Sequence, residues 1–142
     1  MAIADSVQTG MWTPIHRPQV AYIAPTYGQA KRAAWEYAKE MCAGFGGVRF
    51  HESELRVDIP RKLKDGSEDF VRLMLLGADN PDSLRGIYLD HAVLDEYADM
   101  NPRLFPEVIR PALSDRKGSA VWIGTPRGQN LFYDKFEEAK TE

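Results

Sequence analysis

Residues 93–96 read Val-Leu-Asp-Glu, so an apolar run ends there in two adjacent carboxylates. A second apolar run, residues 119–124, ends in the turn sequence Thr125-Pro-Arg-Gly128. Both runs have the length and composition of buried strands, and polar residues follow each of them directly. In open α/β sheets, ligands bind beyond the carboxyl ends of the strands. We therefore expect Asp95, Glu96 and Thr125 to lie together at one edge of a sheet.

The residues on either side of these runs predict strands that alternate with helices. Residues 20–24 form a short predicted strand that Pro25 stops, and Thr26 with Gln29 has the pattern of a capping box. The helix that follows, over residues 27–42, is predicted to bury the apolar positions that recur at helical spacing. These positions are Ala30, Ala33, Ala34, Tyr37, Ala38 and Met41.

The middle of the chain predicts a β-hairpin. Residues 55–59 and 70–76 have strand patterns, and the polar stretch 62–69 between them contains Gly66. A short helical turn over 80–86 and a strand over 87–94 follow. The chain is then predicted to form a helix from about 101 to 113, broken or kinked by its prolines, and a closing helix over 131–140. This order predicts an α/β fold with a mostly parallel sheet, flanking helices and a small antiparallel hairpin.

Length and composition indicate one domain of an ordinary globular kind. The chain has 142 residues, of which 44% are hydrophobic and 27% charged, and its net charge is −3. No overall basic field attracts nucleic acid, so any polyanion contact has to be local. Residues 1–18 predict an irregular N-terminal arm, and residues 19–142 the domain itself. Because no run approaches about 20 apolar residues and no leader is present, we expect a cytoplasmic protein without a membrane partner.

The acidic pair has the residue types of a metal-assisted hydrolytic site. We assign Asp95 to a Mg²⁺ ion, held mostly through water, and Glu96 to the orientation or deprotonation of an attacking water. An exposed acidic loop, or the start of a helix, would explain the same two residues without chemistry.

Three further positions have open alternatives. The hydroxyl of Thr125 could contact a γ-phosphate or the metal-bound water, or it could cap a simple turn. The Arg85 guanidinium could stabilise charge on a transferring phosphoryl group, or it could form a surface ion pair with Asp82 or Asp90. The basic residues of the first helix, Arg32 among them, could meet phosphate or form a solvated face.

Four segments in this order and at these separations resemble the ATPase domain of the large terminase subunit of bacteriophages. They are residues 24–31 (Ala-Pro-Thr-Tyr-Gly-Gln-Ala-Lys), 83–86 (Ser-Leu-Arg-Gly), 92–98 (Ala-Val-Leu-Asp-Glu-Tyr-Ala) and 123–128 (Ile-Gly-Thr-Pro-Arg-Gly). The likeness covers roughly residues 19 to 140. It implies a RecA-like fold of the P-loop NTPase class, ATP and Mg²⁺ as ligands, and a motor that packages viral DNA into procapsids.

The resemblance also implies a role for individual residues. Asp95 matches the Walker B aspartate and Glu96 the catalytic glutamate. Thr125 matches the motif that couples hydrolysis to movement, and Pro25 and Thr26 match a helicase-like segment that contributes to nucleotide binding. Arg85 lies where some terminases place an arginine finger that acts on a neighbouring subunit.

Two family features are missing from this sequence. It contains no G-x-x-x-x-G-K-[ST] loop and no nuclease domain, which suggests a partial ATPase domain, encoded by a phage or prophage, that is inactive alone. The missing phosphate-loop strand is expected to leave the strand of residues 92–94 with an open edge, filled by residues 1–15 or by a second copy.

The implied partners are double-stranded DNA, the portal protein and the small terminase subunit in the bacterial host cytoplasm. Two other functions remain open. One is a non-catalytic remnant of the fold that forms oligomers or binds a partner. The other is a helicase-like, DNA-dependent ATPase.

Overall fold

The computed structural model describes residues 17–141. The predicted N-terminal arm therefore lies outside the described residues except at its end. There, Pro18 is buried, and the Arg17 guanidinium lies 3.7 Å from the carboxylate of Asp69. No helix of the described residues is long and apolar enough to cross a membrane.

The described residues form one six-stranded sheet with the strand order β2-β3-β4-β1-β5-β6. β1 pairs in parallel with both β4 and β5, and β5 pairs in parallel with β6. β3 pairs antiparallel with β2 and β4. The predicted mostly parallel sheet with a small antiparallel hairpin is therefore confirmed. The strands are β1 (Gln19–Ala24), β2 (Arg49–His51), β3 (Arg56–Lys62), β4 (Glu68–Gly77), β5 (His91–Leu94) and β6 (Ser119–Trp122).

The strand that leads to the acidic pair has a partner on each side. β5 pairs with β1 from Val20↔His91 to Ile23↔Leu94, and with β6 over its whole length. The predicted open edge at residues 92–94 is therefore wrong, because β1 and β6 satisfy both sides of this ladder. Within residues 17–141, β6 is the strand at this end of the sheet, and Val121 and Ile123 are 45% and 46% exposed.

The first helix contains a π-helical turn that rotates its buried face. It comprises α1 (Tyr27–Ala30), a π turn (Lys31–Trp35) and α2 (Glu36–Cys42). The Thr26 hydroxyl accepts the Gln29 N–H at 3.1 Å, which confirms the predicted cap.

A π turn holds more residues than an α turn, so the side chains after it are displaced around the helix axis. The buried positions are Ala30, Trp35, Ala38 and Cys42. The prediction that Ala33, Tyr37 and Met41 are buried is wrong, since Ala33 is exposed and Tyr37 and Met41 are 68% and 54% exposed.

The prolines of the second long helical stretch are accommodated by another π turn. This turn spans Phe105–Ile109 and continues into α3 (Arg110–Ser114). The Arg110 N–H bonds to the Phe105 carbonyl, five residues back, as in a π-helix. Pro111 has no N–H and cannot make the α-helical bond to the Glu107 carbonyl, and the wider turn lies directly before it. The prolines therefore shape the helix without ending it.

Two apolar clusters lie on opposite faces of the sheet. On one face, the first helix packs against the hairpin, in a cluster that contains Trp35, Leu55, Val57 and Leu75. The helical stretch 105–114 packs on the other face, against β1 and β5, with Ile23, Leu94 and Ile109 fully buried. α4 (Leu131–Thr141) ends the described chain and contains no buried residue. The helical stretch 105–114 therefore packs against one face of the strands that lead to Asp95 and Thr125.

Asp90 is a buried carboxylate at the opposite edge of the sheet, and it makes stability depend on pH. Its side chain accepts the Gln19 N–H at 2.8 Å, and the residue is 7% exposed. Burial raises the pKa of Asp90 to about 6, although the Gln19 N–H and the charge of Arg61 oppose the rise.

The folded protein therefore binds this proton more tightly than the unfolded chain, and the contribution of Asp90 to stability should fall as the pH rises from 3.8 to about 6. We expect Asp90→Asn to remove this component of the slope and to raise the free energy of unfolding at neutral pH by about 1–3 kcal/mol. Urea denaturation at a series of pH values measures both effects. The matched control is Asp82→Asn, whose side chain is 92% exposed. An unchanged slope in Asp90→Asn would contradict the prediction.

Candidate functional site

The structure brings the acidic pair and the predicted hydroxyl together. Asp95 and Glu96 follow β5, and Thr125 follows the neighbouring β6. The Thr125 hydroxyl donates to Glu96 Oε1 at 3.5 Å, across 29 residues of sequence. Two backbone hydrogen bonds, one before and one after the acidic pair, join the two strand ends. The Ile123 N–H donates to the Leu94 carbonyl, and the Tyr97 N–H donates to the Ile123 carbonyl. The predicted common edge is therefore present.

Each carboxylate oxygen of Asp95 already accepts one hydrogen bond. The Tyr22 hydroxyl donates to Oδ2. The Glu96 backbone N–H donates to Oδ1 at 2.9 Å. Because a carboxylate oxygen has two lone pairs, each oxygen keeps one for a further partner.

Glu96 has a backbone conformation that is rare for a residue with a side chain. Its φ of 49° and ψ of 46° lie in the left-handed region. Such strain costs roughly 1–3 kcal/mol and is concentrated at functional sites. Neighbouring residues on a strand point to opposite faces, but both carboxylates line the same cleft here. The left-handed backbone of Glu96 thus occurs at the point where two neighbouring carboxylates line one cleft.

The acidic pair lines an open cleft of about 360 Å³ between the first helix and the ends of β1 and β5. The remaining lining residues come from β1, the first helix and the turn between them: Tyr22, Ala24, Pro25, Gln29, Arg32 and Ala33. Arg32 lies in the π turn, and its Nη1 would be 3.2 Å from a β-carbon at Gly28, so the glycine leaves room for the guanidinium. No carboxylate among residues 17–141 lies within ion-pairing distance of Arg32. The cleft therefore combines two anionic groups with a cation that has no protein counter-ion in this part of the chain.

Tyr22 is a site residue that the sequence did not predict. Burial raises the pKa of Tyr22 above its usual value, and the hydrogen bond to Asp95 raises it further. The phenol therefore stays protonated and remains a donor at neutral pH. The sequence signal was faint, since Tyr22 is simply the middle residue of an apolar strand.

The other predicted site residues have different surroundings. Pro25 lines the cleft, whereas the Thr26 hydroxyl is engaged at the helix cap. Arg85 does not line this cleft. It borders a second cleft of about 400 Å³ beside the helical stretch 105–114, and its Nε lies 3.4 Å from an exposed Asp82 oxygen. This is the surface ion pair that the sequence left open, and a role for Arg85 on a neighbouring subunit stays a prediction.

The cleft fits a Mg²⁺ ion that is shared with phosphate. Mg²⁺ prefers oxygen ligands and is usually held by one or two carboxylates together with water and substrate phosphates. Asp95 keeps free lone pairs in the cleft, and Glu96 lies next to it. The described residues contain no group of three or more potential protein ligands. Asp95 and Glu96 alone would therefore hold a divalent cation weakly, with water in its other coordination positions, and phosphate oxygens would strengthen the binding.

Sequence comparison relates the chain to large terminase subunits. No protein-family model matches it. A stretch of 59 residues is 49% identical to the large terminase subunit of Thermus phage G20c, and equally to that of Thermus virus P23-45. The stretch is 42% of this chain and 12% of either relative.

Structure comparison extends the likeness to most of the chain. The large terminase ATPase domain of Thermus phage P74-26 is 31% identical, with a TM-score of 0.65 over 95% of this chain and 59% of that domain. A mutant of the same domain is 34% identical, with a TM-score of 0.63 over 84% of this chain and 52% of the other.

The large terminase of another thermophilic bacteriophage, in complex with ATP-gamma-S, has the same fold at 19% identity and a TM-score of 0.67. This chain covers 32% of that protein. The sheet order of this chain and these likenesses together show that most of it resembles the ATPase domain of bacteriophage large terminase subunits and has the RecA-like fold of that domain.

Proposed function

We propose that this chain supplies the metal-binding and water-activating half of an ATP-hydrolysing site in a viral DNA-packaging motor. The observation that carries the proposal is the cleft in which Asp95, Glu96 and Arg32 meet, with Thr125 hydrogen-bonded to Glu96. The ATP-gamma-S complex of the thermophilic phage terminase supports a nucleotide as ligand. Because the chain covers only 52% and 59% of the matched ATPase domains, the activity of a whole terminase is part of this proposal.

The three strand-end residues have distinct roles in this proposal. Asp95 would hold Mg²⁺, which when bound neutralises charge on the phosphates. Glu96 accepts a proton from the attacking water, since a carboxylate placed at hydrogen-bond distance is an effective general base. The hydrogen bond from Thr125 changes when Glu96 gains a proton, and this change reaches the end of β6. Hydrolysis is thereby coupled to movement of the strand end.

Arg32 supplies positive charge to the polyphosphate. A guanidinium is well suited to phosphate oxygens because it presents several donors in one plane. Its freedom from a carboxylate within residues 17–141 leaves these donors available. Pro25 shapes the cleft beside it, and Thr26 begins the helix that carries it.

Arg85 acts on a neighbouring copy in this proposal. It lies outside the cleft of its own chain, exposed and paired with Asp82. An arginine placed at the next subunit's triphosphate contributes roughly 10³-fold or more where it operates. A ring of copies around double-stranded DNA, docked on the portal and supplied by the small subunit in the host cytoplasm, is the assembly that this role requires.

A second function, a non-catalytic module that binds a partner, is favoured by one observation. Val121 on β6 and Ile123 directly after it are almost half exposed at the end of the described sheet. Exposed apolar residues beside a sheet edge are typical of surfaces that another chain covers. In that case the protein would associate without hydrolysing ATP.

Two measurements test the proposed function. The 142-residue chain, which has no G-x-x-x-x-G-K-[ST] loop, is expected to bind Mg-ATP only weakly in calorimetry, because loop amides and a lysine normally supply phosphate binding. A chimera in which residues 17–141 replace the matching part of the P74-26 ATPase domain is expected to hydrolyse ATP.

The chimera also provides the matched comparison. Asp95→Asn should abolish its hydrolysis, whereas Asp99→Asn, an exposed carboxylate four residues away, should not. A folded chimera without activity, or one that Asp95→Asn leaves active, would overturn the proposal. Tight Mg-ATP binding and hydrolysis by the 142-residue chain itself would show that the site does not depend on a G-x-x-x-x-G-K-[ST] loop.

A further inference from the structure

We propose that Tyr22 is a positioning residue for Asp95, which presents the free lone pairs of this carboxylate to a divalent cation. The inference rests on the proposed metal-binding role of Asp95. Tyr22 lies on β1, where its register partner on β5 is Val93, two residues before Asp95. Its hydroxyl donates to Asp95 Oδ2, and both residues line the same cleft.

The two donors to Asp95 act on different oxygens, and together they define the orientation of the carboxylate. The Glu96 N–H holds Oδ1 from within the same turn, at 2.9 Å. With this bond alone, the carboxylate could swing about its Cβ–Cγ bond, which is a broad, soft torsion. Tyr22 reaches Oδ2 from a different strand, so the second bond ties the carboxylate to the centre of the sheet.

The position of Tyr22 makes it a rigid support. β1 is paired on both sides, with Tyr22 opposite Leu75 of β4 and Val93 of β5. Its ring packs against the cluster beneath the first helix. A phenylalanine would preserve this packing and remove the hydroxyl alone. Loss of such an outer partner typically lowers metal affinity roughly 10–100-fold, because the ligand is no longer held in its binding orientation.

Mn²⁺ is the probe, used with the 142-residue chain without nucleotide. The fraction of free Mn²⁺ is measured by electron paramagnetic resonance, and the bound ion is located by the broadening of backbone amide signals of residues 94–97. We expect Tyr22→Phe to weaken Mn²⁺ binding roughly 10-fold or more and Asp95→Asn to abolish the broadening. The matched control is Tyr37→Phe, since Tyr37 is 68% exposed and lies on the outer side of the helix.

The outcomes separate this inference from the proposed function. Equal broadening in wild type and Asp95→Asn would overturn the metal-binding role itself. Loss in Asp95→Asn with wild-type affinity in Tyr22→Phe would overturn only the positioning role of Tyr22. Urea denaturation checks that both variants are folded.

A measurement on the wild type does not depend on either variant being folded. The ¹³C signal of the Tyr22 Cζ atom, next to the hydroxyl, should shift when diamagnetic Mg²⁺ is added, because the hydrogen bond to Asp95 Oδ2 changes when the carboxylate takes up the ion. A Cζ signal that stays in place while amide signals of residues 94–97 respond to Mg²⁺ would overturn the positioning role.

Discussion

Exchanging Glu96 for glutamine is expected to lower ATP hydrolysis by the chimera roughly 10²–10⁴-fold, the usual contribution of a positioned general base. Glutamine keeps the size of the side chain and can still accept the Thr125 hydroxyl, but it cannot take a proton from water. The free energy of unfolding should stay within about 0.5 kcal/mol of the wild type, because the backbone and its contacts are unchanged. Steady-state hydrolysis and urea denaturation measure the two quantities on the same preparation.

Glu96→Gly separates the chemistry of this position from its backbone strain. Glycine adopts the left-handed conformation without steric cost, so this variant should be about 1 kcal/mol more stable and equally inactive. Lys117→Gly is the control, since Lys117 also has a positive φ of 52° but lies outside the cleft. It should gain stability and retain hydrolysis. Hydrolysis at the wild-type rate in Glu96→Gln would exclude Glu96 as the base.

Replacing Gly77 by alanine is expected to destabilise the protein by about 3 kcal/mol or more, at the upper end of the cost of overpacking. Gly77 ends β4 beside Ala24 of β1. A β-carbon there would lie 2.2 Å from the backbone nitrogen of Tyr27 and 2.3 Å from an oxygen of Asp79. Because the first of these atoms belongs to the backbone, the start of the helix has to move.

The displacement would also reach the cleft. The Tyr27 N–H that the new methyl group would meet donates to Asp79 and begins the helix that carries Gln29 and Arg32. Gly44→Ala is the matched control, because nothing lies within 4 Å of a β-carbon at Gly44. Chemical denaturation of both variants gives the comparison. Equal stability of Gly77→Ala and the wild type would show that the strand end and helix start are not as closely packed as described.

The sequence predicted the residues at the candidate site that follow strands, because strand ends have a local signal. An apolar run followed by Asp95-Glu96, and another followed by Thr125, were enough to expect a common edge, and the 3.5 Å contact lies there. The partners that come from elsewhere had no such signal. Tyr22 lies inside an apolar strand, three residues before the turn signal at Pro25, and only the parallel pairing of β1 with β5 brings its hydroxyl to Asp95.

Helical periodicity predicted the first helix but placed part of its buried face incorrectly. The pattern assumes a constant rotation per residue, and the π turn over Lys31–Trp35 interrupts that rotation. Trp35 is buried as a result and Tyr37 is not. Arg32 belongs to the same turn and lines the cleft. The sequence had left open whether this residue meets phosphate or lies on a solvated helix face.

By itself, the sequence determined the order of the longer strands and helices, the antiparallel hairpin, the helix cap at Thr26 and the carboxylates at the end of a strand, but not the short strand β2. Each of these depends on interactions between residues that are close in the chain. Only the tertiary structure decided which strands are neighbours, that β5 is paired on both edges, that the Tyr22 hydroxyl donates to Asp95, and that Arg32 but not Arg85 lines the cleft. These features depend on pairing and packing between distant segments, where the free energy of burying two apolar faces outweighs local preference.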